Sequence, residues 1–184
     1  IVAIDTETTG LDPMLDSIVG MSIYTPGKKP AYIPINHKSY VTGIKVENQL
    51  PVNIIKEQLD RMNEHNTKII MFNAPFDVRV IRNQVGSYLT CYWDCYLGAR
   101  LLNENEETNS LKPLHLKYCE EGQGTASKFA DLFKGISFDL VPINIAYLYA
   151  AHDAKITFEL YEFQEPYLHP DSALCAERGL QDAS

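Results

Sequence analysis

Four carboxylates and one tyrosine stand out by type and spacing. Asp5-Thr-Glu7 closes a run of strand formers that begins Ile1-Val-Ala-Ile4. Residues i and i+2 of a strand share a face, so the two acids are aimed side by side where the chain leaves an apolar sheet. Charges of one sign this close repel unless a cation stands between them. Asp77, in Asn73-Ala-Pro-Phe-Asp77, falls in the first turn of a helix just after a short apolar strand. Such strand ends are where α/β sheets collect their ligands. Tyr149 and Asp153, in Tyr149-Ala-Ala-His-Asp153, are i and i+4 and share one helical face. Taken singly, each piece is equally well a pair of solvated acids, an acid favoured by the helix dipole, or a core tyrosine. Taken together they offer hard oxygen ligands, without a Cys or His cluster, of the kind that suits Mg²⁺ or Mn²⁺. Two such ions about 3.5–4 Å apart drive in-line displacement at a phosphodiester: one activates a water, the other stabilises the leaving 3′ oxygen. A neighbouring tyrosine hydroxyl could orient that water.

The elements that must position these groups can be read from pattern and punctuation. Strands are expected near 1–7, 17–24 and 31–35, with Thr25-Pro-Gly-Lys-Lys-Pro30 as the hairpin turn between the last two. A helix is expected near 52–65, then a short buried strand over Lys68-Ile-Ile-Met-Phe72. Asn73 should cap a helix over 74–85 that tolerates Pro75 in its first turn. Asp94 should cap a helix through Leu102, and Ser110 one through Cys119. A long helix over 142–163 carries Tyr149 and Asp153. Three antiparallel strands followed by alternating strands and helices predict an α/β sheet covered by helices.

Composition narrows the function classes. Sixteen Lys and Arg against 24 Asp and Glu in 184 residues leave a net charge of −8. That disfavours a bare electrostatic binder of duplex DNA, but it permits work on nucleic acid if bound cations neutralise the acids where phosphate must sit. No apolar run is long enough for a membrane span, and no secretory signal pattern is present. Cys91, Cys95, Cys119 and Cys175 never form C-x-x-C. They read as reduced thiols of a cytoplasmic protein and argue against a Cys-based zinc site. The opening strand lacks a preceding turn, so the chain reads as an excised domain. The polar stretch after Pro170 reads as the start of a connection.

The segments I-V-A-I-D-T-E-T-T-G-L-D-P, N-A-P-F-D and Y-A-A-H-D, in that order, resemble the three exonuclease motifs of the ribonuclease H-like 3′–5′ exonucleases. The likeness is nearest to the proofreading domain of family A, DNA polymerase I-like, polymerases. It runs from Ile1 to about Pro166, and W-D-C-Y-L-G-A-R-L-L-N and S-L-K-P-L-H-L-K-Y are similar to helices of that domain. The resemblance implies a ribonuclease H-like mixed β-sheet flanked by α-helices, with residues 1–166 as the exonuclease domain and 167–184 leading toward a polymerase domain. It implies that Asp5 bridges two divalent ions, that Glu7 and Asp153 complete the first site, and that Asp77 holds the second, largely through water. Tyr149 would position the attacking water. The histidine subclass places His five residues before the last Asp, where this chain has Leu148, and His152 is read as peripheral.

Substrate contacts follow from the same likeness. Leu11 stands where the family places an apolar wedge against the terminal bases, a grip on single strands that needs no sequence preference. Thr6 and Thr8 could offer donors near the terminal nucleotide, while Asn73, Phe76 and Phe129 could touch or stack on substrate. Asp94 is explained by capping, Asp12 and Asp16 by surface placement, and Tyr88, Tyr92 and Trp93 by a core cluster.

The expected activity is removal of single nucleotides, as 5′-mononucleotides, from a single-stranded DNA 3′ end. The domain would act as a monomer and proofread for a polymerase domain of the same parent chain. The alternatives are an RNA-trimming, ribonuclease D-like exonuclease and a catalytically silent module of the same fold.

Overall fold

Alternation along the first strand decides the arrangement of the rest. Val2–Thr8 (β1) sends Val2, Ile4 and Thr6 to one face and Ala3, Asp5 and Glu7 to the other. Val2 and Ile4 pack with Ile55 and Leu59 of α1 (Val52–Glu64) and with Val80 of α2 (Ala74–Val80). Ala3 joins the opposite core with Cys95 and Ala99 of α3 (Cys95–Leu102), Leu114 of α4 (Leu111–Tyr118), and Phe158 and Leu160 of α5 (Ile143–Leu168). β1 is therefore covered on both sides.

The computed structural model describes residues 1–119 and 135–171. Its sheet has the order β3-β2-β1-β4-β5, where β2 is Ile18–Tyr24, β3 Ala31–Pro34, β4 Ile69–Met71 and β5 Trp93–Asp94. β1 runs antiparallel to β2, from Ala3↔Tyr24 to Thr8↔Ile18, with an irregularity between Glu7 and Thr8. It runs parallel to β4 through Val2↔Ile69 and Ala3↔Ile70. The hairpin between β2 and β3 turns at Gly27, whose φ of 74° suits glycine. On α5, Ala146, Ala150 and Ala154 are fully buried at successive i+4 positions, and their small size lets this helix lie close on the sheet. This is the expected mixed sheet flanked by helices.

Several expectations need correction. The helix expected over 74–85 is α2 followed by a π-helical turn, Ile81–Val85, which stops at Gly86 with φ 77°. The last helix does not end near 163 but continues through Pro166 to Leu168. Trp93–Asp94, read as part of a core cluster and a helix cap rather than as strand, pairs with β4 as a two-residue strand. Tyr88 and Tyr92 are not core: both are exposed, beneath the cations of Arg82 and Lys68 at 4.9 and 4.4 Å from the ring centroids. Trp93 is half-buried and meets Tyr161 edge-on. Phe129 lies outside the described residues. Among those residues, no helix is long and apolar enough to cross a membrane.

Candidate active site

The pleat of β1 turns Asp5 and Glu7 toward α5, which carries Asp153 on a buried turn. One carboxylate oxygen from each of Asp5, Glu7 and Asp153 lies within 4.8 Å of the others. Asp77 enters from the other layer. Thr6, on the opposite face of β1, donates its backbone N–H at 3.0 Å and its hydroxyl to Asp77 Oδ1. Alternate residues of one strand thus gather acids from both sides of the sheet at one end of it.

All four acids and Tyr149 line a single cleft of about 460 Å³. Thr6, Asn73 and Phe76, expected near substrate, line it too. Thr6 spends both of its donors on Asp77, while Thr8 turns its hydroxyl to the Gly10 carbonyl. Leu11 is 90% exposed on the loop beyond β1, outside the cleft lining. That loop is held by Asp16, whose carboxylate accepts from the Thr9 hydroxyl at 3.0 Å and the Asp12 N–H at 2.8 Å.

Asp94 organises the far wall. It caps α3 as expected, accepting from the Tyr96 N–H at 2.9 Å, and also accepts from the N–H groups of Asn73 and Ala74, each at 2.9 Å. Asn73 consequently does not cap α2 with its side chain. It sits in the left-handed region, φ 63°, where Asn is tolerated, and its exposed side chain faces the cleft. Ser110 likewise precedes α4 without a side-chain capping bond.

The electrostatics are those of an anionic pocket short of positive charge. Loss of solvent pushes the Asp5 carboxyl well above its usual range, and the neighbouring Asp77, Glu7 and Asp153 push it further. Glu7 is pushed up to about 8, first by burial and then by Asp153. Burial raises Asp77 to about 7 against the pull of its two Thr6 bonds. Asp153 is raised by burial against the pull of Lys112, and Tyr149 likewise. Acids in this condition either hold protons or await cations.

The donor set fits a divalent ion. Asp5, Glu7 and Asp153 each offer an oxygen to one point, and Asp153 Oδ1 is buried and makes no hydrogen bond, although the Lys112 ammonium stands 3.0 Å from it.

Some of the site was not singled out from sequence. Phe72 and Tyr96, an edge-on pair 6.0 Å apart, and Asn109 also line the cleft. Lys112 stands behind Asp153 and Tyr149. Its signal was available: a lysine in the first turn of a helix opposes the dipole and needs an anion to justify it.

The 3′–5′ exonuclease family model matches residues 1–168. DNA polymerase I of Borreliella burgdorferi is 29% identical over 171 residues, a match that takes in 92% of this chain and 18% of that protein. The chain thus spans under a fifth of the length of that curated relative. Among solved structures, Brucella melitensis NrnC with bound Mg²⁺ superimposes with a TM-score of 0.64 at 19% identity, covering 98% of this chain and 75% of that one. The same protein bound to pGG also gives 0.64, at 20% identity, over 98% and 78%. These likenesses carry the fold. With a family model matched over nearly its full length, the chain belongs to the 3′–5′ exonuclease domains of family A DNA polymerases.

Proposed function

We propose that this domain shortens single-stranded DNA from its 3′ end, one 5′-mononucleotide at a time, with two divalent ions. It would serve as the proofreading unit of a polymerase in the same parent chain. The observation that carries this reading is the convergence of Asp5, Glu7 and Asp153, with Asp77 and Tyr149 on the same cleft. Asp5, Glu7 and Asp153 would hold one ion. Asp77, which stands apart from that trio and is anchored by Thr6, would hold the second together with Asp5. When bound, Mg²⁺ or Mn²⁺ supplies positive charge at the scissile phosphate and a water able to attack near neutral pH.

The chain's own residues do the remaining work. Tyr149, half-buried at the cleft edge, orients the attacking water through its hydroxyl. Phe72, Phe76 and Tyr96 offer ring faces to the terminal bases, and stacking of this kind does not discriminate sequence. Asn73 presents an amide that capping does not consume. Leu11 would wedge between the last bases from the loop outside the cleft. In this reading the domain is a cytoplasmic monomer, residues 1–166 form the nuclease unit, and 167–184 lead toward the polymerase domain.

A second reading, RNA trimming, is favoured by the likeness to NrnC, which has been solved with pGG bound. One assay separates the two. A 5′-labelled single-stranded DNA and its RNA counterpart are incubated with Mg²⁺, Mn²⁺ or chelator, with Asp5→Ala as control. A metal-dependent ladder on DNA, absent in the variant, is the expected result. A ladder on RNA alone overturns the proofreading reading, and no ladder on either, from folded protein that binds metal, makes the domain a silent module.

A further inference from the structure

Lys112 is absent from every role assigned above, yet it touches two of the residues that carry the chemistry. Its ammonium donates to Asp153 Oδ2 at 3.0 Å, lies 3.0 Å from Oδ1, and stands 3.5 Å from the centroid of the Tyr149 ring. Its side chain is 23% exposed, and it is not among the residues that line the cleft. Its charge also acts on Asp5 and Glu7, against the effect of their acidic neighbours. Substrate entering the cleft would meet Tyr149 and Asp153 first, with Lys112 behind both.

We propose that Lys112 is a positioning residue of the nuclease site, a resident counter-charge that clamps Asp153 and Tyr149 from behind and lowers the affinity of the acid trio for divalent cations. This inference rests on the nuclease reading above. The clamp follows from geometry. The Lys112 ammonium stands 3.0 Å from both carboxylate oxygens of Asp153, which also belongs to the converging acid trio. The same ammonium sits on the face of Tyr149, where a cation is attracted to the ring, so one group sets the separation of both residues. The effect on affinity follows from charge: a fixed positive group beside a ligand carboxylate repels an incoming cation. The placement is costly by itself, because a first-turn lysine faces the positive end of its helix, and the acids are what offset that cost.

The two effects predict an unusual split. Loss of a group that only braces the fold weakens metal binding and turnover together. Loss of Lys112 strengthens the first and weakens the second. The test compares wild type, Lys112→Met and Lys112→Arg at one mildly alkaline pH. It reads Mn²⁺ binding by titration calorimetry, kcat and KM on single-stranded DNA at saturating Mn²⁺, and folding by circular dichroism. The Met variant is expected to bind Mn²⁺ at least about tenfold more tightly, equivalent to about 1.4 kcal/mol. Its kcat should fall by about 10–100-fold, the usual range for a supporting residue, with KM within about threefold of wild type. The Arg variant keeps the charge and should keep the wild-type Mn²⁺ affinity.

Unchanged or weaker Mn²⁺ binding in a folded Met variant, or unchanged kcat, overturns the proposal. If Met does not fold, Lys112→Gln carries the same measurement, since it retains a donor for Asp153 without the charge. Failure of both neutral variants to fold in excess Mn²⁺ assigns Lys112 a purely structural role and also overturns the proposal. Wild type run in parallel separates the two levels: no Mn²⁺ binding and no cleavage in wild type sinks the nuclease reading itself.

Discussion

Thr6 gives both its backbone N–H and its hydroxyl to a single oxygen of Asp77, across a sequence separation of 71 residues. The bond pair ties the central strand to the helix that carries the fourth acid. It leaves the other oxygen of Asp77 as the one that can face a ligand.

Thr6→Val keeps the shape and the N–H bond but removes the hydroxyl. It is expected to lose about 1–3 kcal/mol of stability, the usual cost of taking a hydrogen bond from a buried charged group. The loss should be larger above pH 7 than below it, because Asp77, raised to about 7, is then ionised. Urea unfolding on both sides of that pH measures it, and equal losses on the two sides would contradict the assignment.

Asp5→Ala and Asp153→Ala are each expected to abolish nearly all cleavage, since each removes an oxygen from the converging trio. Tyr149→Phe leaves those oxygens in place. Its expected loss is the smaller one of a water-positioning group, about 10²–10⁴-fold. Single-turnover cleavage of labelled DNA ranks the three, and a Phe variant as inactive as the Ala variants would show that the ring's hydroxyl does more than position.

Without metal, the acids make the fold weaker as pH rises. The native state retains protons on Glu7 up to about 8 and on Asp77 up to about 7, whereas the unfolded chain has released them above roughly 4. Between those limits the native state binds more protons than the unfolded, so stability in chelator falls from about pH 4 to about pH 8. Asp5→Asn should flatten this decline and raise the melting temperature in chelator. Excess Mn²⁺ should reverse the order, because it stabilises only the protein that binds it. Melting curves in chelator that rise with pH over this range would contradict the placement of the acids.

Glu106 behaves in the opposite sense. Its carboxylate takes the Lys117 ammonium at 2.8 Å and the Tyr118 hydroxyl, which hold it down at about 2. Its contribution is complete above about 4.5, the ordinary value for Glu, and is lost as pH falls through about 2. Glu106→Gln should therefore lower stability near neutral pH and reduce the steepness of acid unfolding below pH 4. An unchanged acid transition would show that the loop does not depend on this carboxylate.

The clustered acids and Tyr149 were legible because each obeys a local rule. Asp5 and Glu7 share a strand face, Tyr149 and Asp153 share a helix face, and Asp77 follows a strand end. What escaped depends on contacts across the fold. Trp93–Asp94 is too short for any periodicity to register, and only its pairing with β4 makes it a strand. Asn73 looks like a cap, but Asp94, 21 residues on, supplies the acceptor instead. Pro166 suggests a helix end, yet packing carries α5 past it. Tyr88 and Tyr92 look like core residues and are instead covered by neighbouring cations. Lys112 shows its purpose only once α4 lies against α5.

The path of the chain has a consequence for biosynthesis. Asp5 lies on β1 and Asp153 on α5, with Asp77 and Lys112 between them in the sequence. A ribosome makes the first half of the acid cluster long before the second. Until α5 has emerged and docked, Asp5 and Glu7 have no third acid to complete a trio. A nascent chain that stops short of α5 therefore lacks the assembled trio, and the acid cluster forms in one step when α5 docks rather than growing with chain length.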